Sequence, residues 1–146
     1  MNRATLHSFV SESNRIEGIH RVTKEEILAT ERFCALGSLQ VKDVVELVAV
    51  YAPHAQLRTV HGLNVRVGQR IPPPGGPHIQ ANLESILQTA NREVCTPYQV
   101  HQRYETLHPF TDGNGRSGRA IWLWQMREAP LGFLHHWYYQ ALQEGR

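Results

Sequence analysis

Residues 115–127 carry large apolar side chains around almost the whole circumference of a helix, and this pattern constrains the fold more than any other. The residues concerned are Ile121, Trp122, Leu123, Trp124 and Met126. A helix that is apolar on all sides must be covered by other elements. The other segments of the chain are mostly helical in pattern, so we expect an all-α bundle with this helix at its centre.

The other helices are predicted from apolar residues that recur at intervals of three and four. The predicted segments are 4–17, 23–35 with the capping pair Thr23 and Glu26, 41–51, 79–90, 96–107 with Thr96 and Pro97 at its start, and a last helix bearing Leu134, Trp137, Tyr138, Ala141 and Leu142. Gly18 stands where a helix commonly ends in a left-handed residue. Ser13 and Glu17 fall on the apolar face of the first helix, which is an unusual place for polar side chains.

Residues 60–71, with the sequence VHGLNVRVGQRI, alternate only partly between apolar and polar side chains and contain Gly62 and Gly68. This pattern predicts a short, irregular β-hairpin. The PPPGGP sequence that follows is interpreted as a stiff connector rather than as a ligand for a proline-recognition domain, because no second PxxP accompanies it. No internal repeat or second domain is visible, so a single domain over 1–146 is expected.

The composition favours an ordinary globular protein of the cytoplasm. The chain has 146 residues, of which 41% are hydrophobic, and a formal net charge of +2 without blocks of like charge. Nucleic acid is therefore not an expected partner. No run of about 18 apolar residues occurs, and the first residues lack the unbroken apolar stretch of a secretory leader, so we expect neither membrane insertion nor secretion.

The two cysteines and nine histidines do not have the spacing of a metal site. Cys34 and Cys95 form no CxxC pair, which favours two reduced thiols, with one disulfide as the alternative. His78, His135 and His136 are isolated or adjacent in sequence and are not interpreted as metal ligands.

The loop at 108–119, HPFTDGNGRSGR, concentrates chemically active groups between two predicted helices. Gly113 and Gly115 allow backbone N–H groups to approach an anion, and the helix that follows directs its positive dipole end to the same place. Arg116 and Arg119 lie in the first turns of that helix, where cations are unfavourable unless an anion binds. These features together predict a phosphate-binding site.

Two further side chains of this loop have groups suited to phosphate chemistry. Asp112 offers a hard oxygen ligand for Mg²⁺ beside the phosphate site. His108 is the strong base of the loop and is placed to deprotonate a hydroxyl group that attacks a phosphate. A capping or core histidine is the structural alternative.

Other nucleotide and metal motifs fit the loop less well. It is not a Walker A motif, since no Gly-Lys-Ser/Thr follows the glycines, and the GxGxxG motif requires a preceding strand. Glu105 and His108 have the Glu-x-x-His spacing of carboxylate-bridged di-iron bundles, with His101 one turn earlier. That site requires a second copy of the motif, which the chain lacks.

The sequence HPFTDGNGRSGR resembles the Fic family motif H-P-F-x-D/E-G-N-G-R-x-x-R at every fixed position. The resemblance implies an all-α Fic helical bundle with a small β-hairpin flap, here at 60–71. It also implies transfer of AMP from ATP to a Ser, Thr or Tyr hydroxyl of a target protein, which would dock on that flap. A related transfer of another group, removal of AMP, and a nucleotide-sensing module without turnover are the alternatives.

The resemblance also implies a role for each loop residue. His108 would be the general base, Asp112 would hold Mg²⁺, and Asn114 would position the α-phosphate of ATP. Backbone N–H groups of Gly113 and Gly115 would line the anion site. The remaining phosphates would be bound by Arg116 and Arg119, with Arg119 at the γ-phosphate. Tyr138 would be a neighbour of the nucleobase of ATP.

Residues 13–18, SNRIEG, resemble the inhibitory pattern S/T-x-x-x-E-G/N of the Fic class whose inhibitory helix is N-terminal. By this resemblance, residues 1–18 would form the inhibitory helix, with Ser13, Glu17 and Gly18 as its signature. A Glu17–Arg119 ion pair would then occupy the γ-phosphate position. A glutamate that merely ends a surface helix is the alternative. The sequence leaves the target and the oligomeric state open, a homo-oligomer included.

Overall fold

The computed structural model describes residues 1–127 of the chain. Over this range the fold is helical, with elements α1 (Arg3–Ile16), α2 (Lys24–Cys34), α3 (Val41–Tyr51), α4 (His78–Asn91), α5 (Pro97–Leu107) and α6 (Asn114–Met126). The expected all-α fold is confirmed for this part of the chain. The predicted last helix and Tyr138 lie outside the described residues.

The helix ends follow the local signals of the sequence. At the start of α2, the Thr23 hydroxyl accepts from the Glu26 N–H at 3.1 Å, and the Glu26 carboxylate accepts from the Thr23 N–H at 2.8 Å. Helix α1 ends at Ile16, Glu17 caps it, and Gly18 follows with a left-handed φ of +77°. The Ile19 N–H then donates to the Asn14 carbonyl at 3.0 Å, as in a Schellman motif.

Helix α6 is the centre of the bundle, in agreement with its all-round apolar pattern. It packs against α1, α2, α3 and α5. Ile121 and Leu123 are fully buried. The indole N–H of Trp124 donates to the Leu36 carbonyl at 2.7 Å, so even the polar atom of this large side chain is satisfied inside the core.

The β-hairpin expected over 60–71 is not confirmed. Within the described residues the β pairings are isolated bridges, one of which joins Val67 to Arg70 through two backbone hydrogen bonds of 2.9 Å across a tight turn. Arg70 donates from its guanidinium to the carbonyls of Glu105 and Thr106 on α5. Side-chain contacts of this kind hold the segment against the bundle, where strand pairing was expected.

The described residues have two further properties, one of the helices and one of the cysteines. None of the helices in residues 1–127 is long and apolar enough to cross a membrane. Cys34 and Cys95 are both free thiols. Burial raises the pKa of the Cys34 thiol to about 12, so this side chain acts as a small apolar group at neutral pH.

We predict that Gly118→Ala destabilises the fold. A Cβ at Gly118 would lie 2.9 Å from Glu105 Oε1 and 3.0 Å from a ring carbon of Tyr104, so α5 and α6 would have to move apart. Overpacking costs about 1–3 kcal/mol, which exceeds the helix propensity of about 1 kcal/mol that alanine adds. Urea unfolding should therefore show a lower free energy of unfolding.

Gly37→Ala is the matched control, because a Cβ at Gly37 meets no atom within 4 Å. Its free energy of unfolding should change by less than about 0.5 kcal/mol. Equal or greater stability of the Gly118 variant would contradict the close packing of α5 on α6.

Candidate active site

A cleft of about 510 Å³ brings the predicted loop together with the end of α1 and part of the 60–71 segment. It is lined by Glu17, Ile19, Arg66, Val67, Gly68, His108, Thr111, Asp112, Gly113, Asn114, Gly115 and Arg116. Most of the side chains predicted for the site therefore share one cleft. Arg119 lies directly beneath it, in contact with Glu17.

His108 is the residue at which α5 ends and the loop begins. Its backbone is left-handed, with φ of 51° and ψ of 62°, which is uncommon for a residue other than glycine. The side chain is mostly buried, and Nδ1 lies 3.3 Å from the Glu105 carbonyl oxygen. When Nδ1 carries the proton it donates to this carbonyl, and Nε2 of the neutral ring then holds the lone pair that a base requires.

Glu105 lies behind His108 in the core. Its carboxylate oxygens are 4.0 Å from His101 Nε2 and 4.0 Å from His108 Nδ1, and the residue is almost completely buried. Among the residues that the structure describes, no three His, Cys, Asp or Glu side chains are grouped so that they could hold a metal ion. The Glu105 carboxylate therefore lies near two imidazole rings, that of His108 in the Glu-x-x-His spacing and that of His101 one turn earlier.

The N-terminus of α6 opens into the cleft. Gly113, which precedes the helix, has a left-handed φ of +81°, and the first turn contains no acidic side chain. The N–H of Gly113 donates to Asp112 Oδ1 at 2.7 Å, so this donor of the predicted anion site has a protein partner. The N–H groups of the first turn remain directed along the helix axis toward the cleft.

Asp112 has the position and chemistry expected for a Mg²⁺ ligand. Its side chain is 72% exposed, and Oδ1 lies 3.8 Å from the Arg116 guanidinium. One hard, solvent-accessible carboxylate suits an ion that keeps several waters and takes further ligands from substrate phosphates. The residues present therefore fit a nucleotide-bound Mg²⁺ ion rather than a permanent protein-bound metal.

Asn114 holds the shape of the loop. Its side-chain oxygen accepts from the Phe110 N–H at 2.9 Å, and its nitrogen donates to the Phe110 carbonyl at 2.8 Å. Both ends of the carboxamide are thus bonded to one residue's backbone in the loop. The resemblance assigned Asn114 to the α-phosphate, whereas its observed contacts are with the loop itself.

Arg116 is buried beside the cleft and is held by α3. One guanidinium nitrogen donates to the Tyr51 carbonyl at 3.0 Å, and the guanidinium carbon lies 5.7 Å from the centre of the Tyr51 ring. Nε of Arg116 has no hydrogen-bond partner among the described residues. The side chain is therefore fixed in place, and its charge has only a loose contact, of 3.8 Å, with the exposed Asp112 carboxylate.

Arg119 joins α6 to the first helix. Its Nε donates to the Ser13 hydroxyl at 2.7 Å, and a terminal nitrogen donates to the Ser13 carbonyl at 3.0 Å and to Glu17 Oε1 at 2.8 Å. Arg119 and Ser13 are almost completely buried, while the Glu17 side chain is 36% exposed. The structure thus contains the ion pair that the resemblance implied.

Gly115 allows the Glu17 carboxylate to lie against the first turn of α6. A Cβ at Gly115 would overlap Glu17 Oε1, and it would lie 3.1 Å from the nearest guanidinium nitrogen of Arg119. A negative charge at a helix N-terminus is favoured by the helix dipole. The Glu17 carboxylate therefore lies at the N-terminus of α6, at a position where an anion is stabilised.

Two further arginines at the site were not predicted from the sequence. Arg66 lines the cleft from the 60–71 segment. Arg58 is fully buried and bonded to the backbone of His108. Neither residue belongs to a motif, and the periodicity of their segment is weak, so no pattern in the sequence points to them.

We predict that Asn114→Asp destabilises the protein by about 1–3 kcal/mol, because the substitution places a carboxylate oxygen against the Phe110 carbonyl and removes a buried hydrogen bond. The free energy of unfolding, measured with urea, tests this. Asn82→Asp on the exposed face of α4 is the control and should change it by less than about 0.5 kcal/mol. Equal stability of the two variants would show that the Phe110 contacts do not hold the loop.

A known protein family matches most of this chain. The Fic/DOC family profile matches residues 12–126, a range that includes α2 to α6, the whole 108–119 loop and the last turn of α1. The match covers well over half of the chain. The protein is therefore a member of the Fic/DOC family.

Proposed function

We propose that this protein transfers AMP from ATP to a hydroxyl group of a protein and that Glu17 restrains the reaction. Proteins of the Fic/DOC family usually transfer nucleotide-derived groups to proteins, so a transferase is the coarse function. The observation that carries the finer proposal is the cleft in which His108 and Asp112 face the glycine-walled N-terminus of α6.

His108 acts as the general base in this proposal. Its Nε2 accepts the proton of the target hydroxyl while the hydroxyl oxygen forms a bond to the α-phosphorus of ATP. The bond from that phosphorus to the bridging oxygen breaks, and pyrophosphate leaves with the electron pair. The contact of Nδ1 with the Glu105 carbonyl supports this assignment, since it orients the ring and selects the required tautomer.

The other residues of the loop bind and orient the triphosphate. The N–H groups at the start of α6 and the guanidinium groups of Arg116 and Arg119 supply positive charge at fixed positions. Asp112 would hold Mg²⁺, which neutralises charge on the phosphates and on the leaving pyrophosphate.

Glu17 restrains the reaction in this proposal by occupying the anion position. Its carboxylate is bonded to Arg119 and lies over Gly115, at the place where a phosphate would gain the same charge interactions. A triphosphate bound beside it lacks the contact with Arg119 and is held in an unproductive position. Ser13 supports the arrangement because its hydroxyl fixes the direction of the guanidinium.

The target protein would dock along 60–71, where Val60 and Ile71 are exposed, with its Ser, Thr or Tyr hydroxyl directed into the cleft. Such binding requires backbone pairing with an extended peptide. The Val67–Arg70 turn offers only a short edge for this, which favours a target that is recognised mainly by other contacts. A cytoplasmic location stays an expectation of the sequence.

We predict that Glu17→Gly raises the incorporation of label from α-labelled ATP into protein at least tenfold over wild type, because Arg119 and the first turn of α6 become accessible to phosphate. His108→Ala in the same background should abolish incorporation while ATP affinity changes by less than about threefold. Autoradiography of cell lysate and isothermal titration provide the two measurements.

Glu12→Gly is the matched control, since it places a glycine in the exposed face of α1 without touching the Arg119 pair. It should label protein at the wild-type level. Binding of ATP without incorporation by the Glu17 variant would indicate a nucleotide-sensing module instead. Label from another donor, but not from ATP, would indicate a related transfer, and equal labelling by wild type and the Glu17 variant would remove the restraint.

A further inference from the structure

Arg58 is the largest fully buried side chain among the described residues, and it lies outside the loop that carries the proposed chemistry. Its guanidinium donates four hydrogen bonds of 2.7–3.1 Å, all of them to backbone carbonyl oxygens. Burial lowers the pKa of Arg58, although a guanidinium stays protonated at physiological pH. Because every acceptor is a main-chain oxygen, the guanidinium is fully hydrogen-bonded only when the backbone segments around it keep their positions.

Two of these carbonyls belong to the turn that carries His108. Nε of Arg58 donates to the His108 carbonyl at 2.7 Å, and a terminal nitrogen donates to the Leu107 carbonyl at 2.8 Å. The last carbonyls of a helix have no acceptor role within the helix and need outside donors. Arg58 supplies donors at the point where the chain changes from α5 to the left-handed conformation of His108.

The other two carbonyls belong to the segment that forms the opposite wall of the cleft. The second terminal nitrogen donates to Leu63 at 3.1 Å and to Pro73 at 2.8 Å. Arg66, Val67 and Gly68, which line the cleft, lie between these two anchor points. One planar group therefore connects the turn of the base with the segment facing it.

The main chain of Arg58 reinforces this connection. Its N–H donates to the Pro109 carbonyl at 2.8 Å, and its carbonyl accepts from the Gly76 N–H at 2.9 Å. Arg58 thus contacts residues on both sides of His108. A lysine at this position has three donors on one atom and no rigid fork, so it is unable to reproduce four bonds in two directions.

We infer that Arg58 is a positioning residue for His108, which it holds in a fixed left-handed turn at a fixed distance from the 63–73 segment. This inference rests on the proposed function, in which His108 is the base. Displacement of a base by about 1 Å is sufficient to reduce a rate about 100-fold without abolishing substrate binding. The expected signature of Arg58 is therefore a loss of rate greater than the loss of nucleotide affinity.

The test compares Arg58→Lys and Arg58→Met with Arg103→Lys, all in the Glu17→Gly background. Arg103 is exposed on α5, the helix that ends just before His108, and serves as the matched control. With saturating ATP, Arg58→Lys should lower the labelling rate at least tenfold while the Kd for ATP changes less than threefold. Arg58→Met should lower the rate further, and Arg103→Lys should stay within twofold of its parent.

Hydrogen–deuterium exchange without nucleotide provides a second measurement that is independent of activity. Exchange should rise in the Arg58 variants for peptides covering 107–112 and 63–73, but not for α2 and α3. Faster exchange across the whole bundle, with rate and affinity reduced equally, would overturn the inference in favour of a general structural role. So would a labelling rate within twofold of the parent in a folded Arg58→Lys protein.

Failure of the proposed function gives a different result. If the Glu17→Gly parent itself labels no protein, the adenylyltransferase proposal falls. The exchange comparison then decides alone whether Arg58 fixes the turn at His108, and unchanged exchange at 107–112 would reject that role.

Discussion

The bonding of the Arg119 guanidinium connects the stability of the bundle with the proposed chemistry. A charge removed from water costs several kcal/mol unless charged or polar partners surround it. Arg119 is 2% exposed, and its partners come from α1, a hundred residues earlier in the chain. The docking of α1 and the order at the start of α6 therefore depend on each other. A phosphate that replaces the Glu17 carboxylate would satisfy the same guanidinium.

Three buried arginines surround the cleft, and carbonyl oxygens supply most of their hydrogen bonds. Arg58 is bonded to four carbonyls, and Arg116 is bonded to that of Tyr51. A carbonyl oxygen accepts a hydrogen bond from a guanidinium group but has no net charge, so it does not neutralise the arginine. Arg58 and Arg116 therefore contribute positive potential near the start of α6, offset only in part by the exposed Asp112 carboxylate 3.8 Å from Arg116, and the helix dipole there has the same sign. A polyanion would be stabilised both by the arginine charges and by the helix dipole. Without a bound polyanion, the hydrogen bonds to carbonyl oxygens offset the cost of burying the guanidinium groups.

Much of the helical framework was predictable because its signals are local. The capping pair of Thr23 and Glu26 and the glycine after α1 each act within a few residues, and the observed helices begin and end close to the predicted ends. The 108–119 loop was predictable for a similar reason, since its chemical groups are contiguous. Here the sequence pattern and the geometry of the cleft describe the same set of side chains.

What the sequence did not predict depends on contacts between distant segments. The role of Arg58 results from bonds to carbonyls some fifty residues later, and backbone acceptors leave no trace in residue identity. The hairpin expected over 60–71 is not confirmed, because weak alternation does not ensure strand pairing. Arg58 and Arg70 instead hold that region through side-chain bonds. Asn114 is a different case, because its partner Phe110 is only four residues away, but the bonds go to the Phe110 backbone, which residue identity does not reveal.

The left-handed end of α1 has a consequence for how easily Glu17 is withdrawn. Glu17 stands just after the last helical residue, and a Cβ at Gly18 would meet no atom within 4 Å, so the space around this joint is open. Rotation about the side-chain bonds of Glu17 would swing the carboxylate into water while Ser13 stays bonded to Arg119 and the backbone hydrogen bonds of the helix end are kept. The contact that is lost joins a 36% exposed carboxylate to a 3% exposed guanidinium, which would keep its two bonds to Ser13 but lose its only carboxylate partner among the described residues. Withdrawal of this carboxylate would therefore be favoured when another anion takes its place on Arg119, and the helix that bears it would not need to unfold.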